Sequence, residues 1–105
     1  MLFWGDASGK EPVREWLFSL TKHQRKIIGE DLKTVELGWP LGTPLVKRLG
    51  KGIWEVRSNF RGGAARVLFT MHKARMVLLH GFIKKTQRTP IQSLELAQKR
   101  AKTLR

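Results

Sequence analysis

The sequence predicts an α+β domain in which two helices precede a mainly antiparallel β-sheet and a last helix closes the chain. Three observations predict it. The stretch Ile53-Trp54-Glu55-Val56-Arg57 alternates with a period of two, as a strand with two different faces must. Residues 64–70 and 76–83 are nearly continuous apolar runs, the pattern of central strands covered on both sides. Upstream, Val13, Trp16, Leu17 and Leu20 recur at i, i+3, i+4 and i+7, a single apolar stripe along a helix. With 105 residues, 41% of them apolar, and no repeat, linker or low-complexity segment, residues 1–105 are expected to form one domain with a real core.

In chain order, Leu2-Phe3-Trp4 reads as a short first strand and residues 7–10 as a loop. Glu11-Pro12 starts the first helix, since proline at the first helical position gives up an N–H that has no partner there. Thr21 with Gln24 forms a capping-box pattern, so a second helix is expected from about Lys22 to Leu37. Ile28, Leu32 and Val35 mark its buried face, and Gly38 and Pro40 end it. The tight junction makes the two helices a hairpin or bent pair. After the Gly- and Pro-rich loop 39–44, Leu45–Leu49 reads as a strand and Gly50-Lys51-Gly52 as its turn. Residues 59–63 connect the next hairpin, and His72-Lys73-Ala74 turns into the last strand. Thr89-Pro90 followed by Gln92 repeats the cap signature, ahead of a helix carrying Leu94, Ala97, Ala101 and Leu104 on one side. The order is β-α-α-β-β-β(-β)-α, with the helices expected on one face of the sheet.

The net charge of +13 is unevenly placed. Residues 1–36 hold six acidic and six basic residues, whereas residues 37–105 hold fifteen basic and only Glu55 and Glu95 acidic. A half so basic points to a polyanionic partner, most simply nucleic acid. There is no cysteine, so disulfides and thiolate metal sites are excluded. No run approaches the ~20 apolar residues of a membrane span, and the N-terminus lacks the pattern of a secretory signal. The expected location is the cytoplasm, without membrane association.

His23, His72 and His80 lack metal-binding spacing, so neither a metal nor a cofactor is expected. The scarcity of carboxylates in the second half leaves no paired carboxylates and no Ser/His/Asp set. What remains is a set of cations and one histidine. Cleavage of RNA by internal attack needs a base for the 2′-hydroxyl, a cation at the phosphate and an acid for the leaving oxygen, all of which His, Lys and Arg can supply. Arg57, Arg66, His80 and Lys84 are the candidates. If the 59–63 hairpin is symmetric, Arg57 lies opposite Arg66, where a phosphate would relieve their repulsion. The competing reading leaves Arg57 to its neighbour Glu55 or to solvent and pairs Arg66 with a carboxylate. His80, expected to share its strand face with Met76, Leu78 and Phe82, can equally be a buried, hydrogen-bonded core histidine. Lys84 and Lys85, followed by Thr86 and Arg88, suit phosphate contact. Lys47, Arg48 and Arg61 suit an electrostatic contact. Phe82 and Trp54 suit the core, with base stacking as the alternative.

Several blocks resemble the phage-related HigB branch of the RelE/ParE toxin superfamily. They are Leu45-Val46-Lys47-Arg48-Leu49, Gly52-Ile53-Trp54-Glu55-Val56-Arg57, Arg66-Val67-Leu68-Phe69 and, most specific, His80 to Pro90. Glu11-Pro12-Val13, Trp16-Leu17, Glu95, Ala97 and Arg100 extend the resemblance over nearly the whole chain. It implies a RelE-like fold, two N-terminal helices packed on an antiparallel sheet. It also implies a type II toxin that acts as a ribosome-dependent mRNA endonuclease without metal. The implied partners are a HigA-like helix-turn-helix antitoxin, the ribosome with its mRNA, and operator DNA only through the antitoxin. Arg57, Arg66, His80, Lys84 and Lys85 match the basic positions that face RNA in such toxins. The chain departs from the pattern in having no tyrosine, which several RelE-type nucleases use near the C-terminus, so either His80 or a lysine takes that role or the cleavage chemistry is weaker or absent. The ParE branch, which inhibits DNA gyrase and cleaves nothing, is the alternative, followed by a non-enzymatic nucleic-acid-binding module.

The charge distribution predicts that binding to RNA or ribosomes weakens steeply as salt rises, because released counterions supply much of the affinity. A filter-binding titration at increasing salt checks this, and a flat dependence would argue against the basic half as the contact surface.

Overall fold

The computed structural model describes residues 1–85 and 87–105. Among these residues the chain forms three helices and one five-stranded sheet. The elements are β1 (Leu2–Phe3), α1 (Pro12–Ser19), α2 (Lys22–Gly38), β2 (Val46–Gly50), β3 (Ile53–Phe60), β4 (Gly63–His72), β5 (Arg75–Ile83) and α3 (Ile91–Ala101). The strand order is β1-β5-β4-β3-β2. β1 runs parallel to β5, and every other pairing is antiparallel.

Local chemistry accounts for the helices. Pro12 opens α1, and its stripe buries Val13 and Leu17. Thr21 Oγ1 accepts from the Gln24 N–H at 3.1 Å, and Gln24 Oε1 accepts from the Thr21 N–H at 3.1 Å. This reciprocal pair satisfies two donors that the first turn of α2 would leave open. Ile28, Leu32 and Val35 then turn inward.

The sheet is covered on both faces. α1 and α2 enclose Val56, Ala65, Val67, Phe69, Met76 and Leu78 on one side. On the other side Ile53, Leu68, Val77 and Leu79 pack with Ala97 of α3. The expectation that all helices share one face is therefore corrected. β4 and β5 are apolar at consecutive positions, so each presents apolar side chains on both surfaces. Leaving one surface bare would forgo about 1.5–3 kcal/mol for each large side chain left exposed. The stripe Leu94, Ala97, Ala101 and Leu104 supplies the second cover.

A β-bulge sets the phase of β5. Leu68 pairs with His80 but Phe69 pairs with Leu78, so Leu79 is an extra residue. Met76 and Leu78 consequently face α1 and α2, while Phe82 joins the cluster under α3 and His80 stacks on Phe82. The single shared face expected for these four residues is thus split by the bulge. Arg100 of α3 secures it: Nη1 donates to the Leu79 carbonyl at 2.6 Å while the guanidinium lies 4.8 Å above the Trp4 ring.

Asn59 and Phe60 belong to β3, so the connection expected over 59–63 shrinks to Arg61 and Gly62, the latter at φ 89°. This short turn makes Arg57 the direct partner of Arg66.

α1 packs against β5 at Gly81, where a Cβ would lie 2.4 Å from the Trp16 ring. Gly81→Ala is expected to destabilise the fold by about 1–3 kcal/mol through this overlap. Urea denaturation measures it, and an unchanged midpoint would mean that the Trp16 ring moves aside freely.

Candidate functional site

The sheet surface under α3 is only partly covered by the helix. Toward the 61–62 turn the surface opens into a narrow cleft lined by Lys47, Glu55, Arg57, Arg66, Phe82, Lys84, Gln87, Arg88 and Thr89. Two rows of paired residues cross the sheet here. Lys47, Glu55, Leu68 and His80 follow one another across β2, β3, β4 and β5, and of these Lys47 and Glu55 line the cleft. Arg57, Arg66 and Phe82 form the next row. Beyond it Lys84 is anchored as its N–H donates to the Ala64 carbonyl at 2.8 Å. Period-two alternation keeps these side chains on one surface.

Glu55 holds the cations together. Its Oε1 lies 3.7 Å from Nε of Arg57 and 3.7 Å from Nε of Arg66, while Oε2 accepts a hydrogen bond from the Thr89 hydroxyl. The side chains of Glu55 and Arg66 are 2% and 6% exposed, against 29% for Arg57, so Arg57 is the more accessible of the two cations. Arg66 Nη1 also donates to the Ala65 carbonyl at 2.9 Å. Burial pulls the Arg66 guanidinium below its ordinary value; Glu55 opposes this and Arg57 adds to it. Arg66 remains charged at neutral pH. Five basic residues line the cleft against one carboxylate.

The pairing of both arginines with a carboxylate, one of the two sequence readings, is therefore present. It does not neutralise the cleft. Thr89 departs from its expected place as a cap. The residue at the N-cap of α3 is Pro90, with no side-chain cap hydrogen bond among the described residues. The Thr89 hydroxyl donates to Glu55 instead.

The structure gathers Arg57, Arg66, Lys84, Lys47, Phe82 and Arg88 and leaves the other candidates outside the cleft. His80 is separated from Glu55 by Leu68, roughly 10 Å across two strand spacings. Its ring stacks on Phe82 at 5.6 Å. Arg48 pairs with Trp54, whose ring packs into the core under α2, so it projects from the face opposite Lys47. Arg61 sits in the turn and Lys85 past the end of β5, both exposed. Thr86 lies outside the described residues. Sequence reasoning passed over Glu55, Gln87 and Thr89 as cleft residues; for Glu55 the signal was its i, i+2 relation to Arg57.

Of the roomier hollows, the one lined by Lys51, Gln98, Ala101 and Lys102 carries two cations and no carboxylate, against five cations and one carboxylate here. Along α1, Lys10 and Arg14 meet Glu11 and Glu15. Between Trp4 and α3, Arg100 faces Asp6, whose charge acts on it favourably. Among the described residues no group of three His, Cys, Asp or Glu could hold a metal ion, and no helix is long and apolar enough to cross a membrane.

Residues 15–102 match the family described as phage-derived protein Gp49-like (DUF891). No curated protein matches the chain.

Burial, and then the charge of Arg100, hold the His80 imidazole below its ordinary value of 6.5. Between the folded value and 6.5 the unfolded chain binds a proton that the folded chain lacks. The stability contribution is thus complete above 6.5 and is lost as pH falls through the folded value. Urea midpoints followed from about pH 8 to about pH 5 should fall, and His80→Gln should flatten that slope. An unchanged slope in the variant would assign the effect to other groups.

Proposed function

The chain belongs to the phage-derived Gp49-like family, a RelE-like family associated with toxin–antitoxin systems, and on that premise we propose that it is a type II toxin that cuts messenger RNA on the ribosome. The observation that carries this reading is the direct pairing of Arg57 with Arg66 in a cleft further lined by Lys47, Lys84 and Arg88. Two guanidiniums side by side suit a phosphodiester whose negative charge grows in the transition state. In the proposed reaction the 2′-oxygen attacks phosphorus and the P–O5′ bond breaks. The 2′-hydroxyl proton leaves to a base, and the departing 5′-oxygen receives one from an acid. Arg57 and Arg66 hold the phosphate oxygens, Lys84 is the proton donor, and Phe82 offers a face for a base.

The proposed partners are the ribosome with its mRNA and a helix-turn-helix antitoxin that neutralises the toxin. Operator DNA is met only through that antitoxin. The cytoplasm is the proposed place of action.

One observation favours a second reading. His80, the residue best suited to move a proton near neutrality, lies outside the cleft, and the chain contains no tyrosine. A gyrase-directed inhibitor that cuts nothing would need neither.

Primer extension on a reporter mRNA, with and without its translation, separates the two. Cuts confined to translated message are expected, and Arg57→Ala is expected to reduce them by about 10²–10³-fold with the fold intact. Arg66→Ala should do the same but disturb the fold more, since it takes the more buried of the two cations from a buried carboxylate. Arrested growth with intact message, and a change in plasmid supercoiling, would establish the second reading instead.

A further inference from the structure

Glu55 takes no part in the steps above, yet it is the most deeply buried charge in the cleft, with its side chain 2% exposed. Positive charge reaches it from three strands. Lys47 pairs with it from β2, Arg57 follows it along β3, and Arg66 approaches diagonally from β4. The approach of each guanidinium to Oε1 is through Nε, the donor nearest its own backbone. Nη1 of Arg66 is engaged by the Ala65 carbonyl, so Nη2 of Arg66 and the two terminal nitrogens of Arg57 are the ends that an outside anion can meet. Oε2 ties Thr89, the residue before the N-cap of α3, to the same carboxylate.

We propose that Glu55 is the positioning residue of this cleft. One carboxylate holds two guanidiniums at paired positions so that both present their distal donors to a single phosphodiester, and through Thr89 it fixes the segment before α3 as a wall. Without the carboxylate, two like charges on directly paired residues repel and swing apart. The inference rests on the cleft being the nucleic-acid site.

Two effects of removing the charge have opposite signs, which makes the test sharp. If Glu55 only neutralises the cleft, its loss raises the positive potential and tightens binding of an anion. If it positions the arginines, its loss weakens binding although the cleft becomes more positive. The probe is a short 2′-O-methyl oligoribonucleotide, which lacks the attacking hydroxyl and stays intact. Fluorescence anisotropy is read for the wild type, Arg57→Ala, Glu55→Gln and Thr89→Val, with amide spectra as the fold control. Glu55→Gln is expected to weaken binding about tenfold, of the order of one lost charge-assisted contact. The Nε–H signals of Arg57 and Arg66 should shift in the same variant, and Thr89→Val should weaken binding by a smaller factor. Equal or tighter binding by Glu55→Gln, with Arg57→Ala weakened, would overturn the positioning role and leave the cleft as the site. Wild-type binding by Arg57→Ala would remove both readings together. Should Glu55→Gln fail to fold, Thr89→Val decides, since unchanged affinity there would overturn the wall.

Discussion

Two like charges on paired strands, held by one carboxylate, form the constraint around which this end of the molecule is built. Arg57 and Arg66 would repel in isolation. They stay in place because Glu55 lies within ion-pair distance of both and is itself shielded from water. The same carboxylate draws in Thr89 and so fixes where the chain enters α3. Removing the carboxylate would leave the buried Arg66 charge beside a like-charged neighbour, which generally costs more than the intact pair contributes.

The bulge at Leu79 matters almost as much. By adding one residue to β5 it lets the strand serve two surfaces in turn. Met76 and Leu78 fill the core under α1 and α2, and Phe82 then turns toward α3 and the cleft. Arg100 meets the carbonyl of the extra residue and stacks on Trp4, so the last helix, the bulge and the end of β1 are fastened at one point. A continuous ladder would have placed Phe82 on the opposite surface, away from Arg66.

Much of this was legible in the residues, and the failures have physical causes. Period-two alternation at 53–57 gave the phase of Arg57, and the short glycine-containing turn gave its partner. The capping box of α2 was readable because both of its residues act within a single turn. The bulge was not readable, since one additional apolar residue leaves no mark in a run that is apolar throughout. An amphipathic stripe says that a helix is covered but not by which surface, so the side taken by α3 was missed. The strand runs themselves held the correction, because uninterrupted apolar strands require two covers. Thr89 fitted a cap pattern locally, but the pattern could not register a buried carboxylate arriving from a strand 34 residues away.

α3 lies C-terminal to every strand that it covers. During synthesis the sheet can therefore pair fully while Ile53, Leu68, Val77 and Leu79 still face solvent on one side. The arginines would be aligned by strand pairing at that stage, but the segment carrying Thr89 would not yet be drawn against Glu55. A chain interrupted before residue 87 would carry Lys47, Arg57, Arg66 and Lys84 without the segment that walls the cleft.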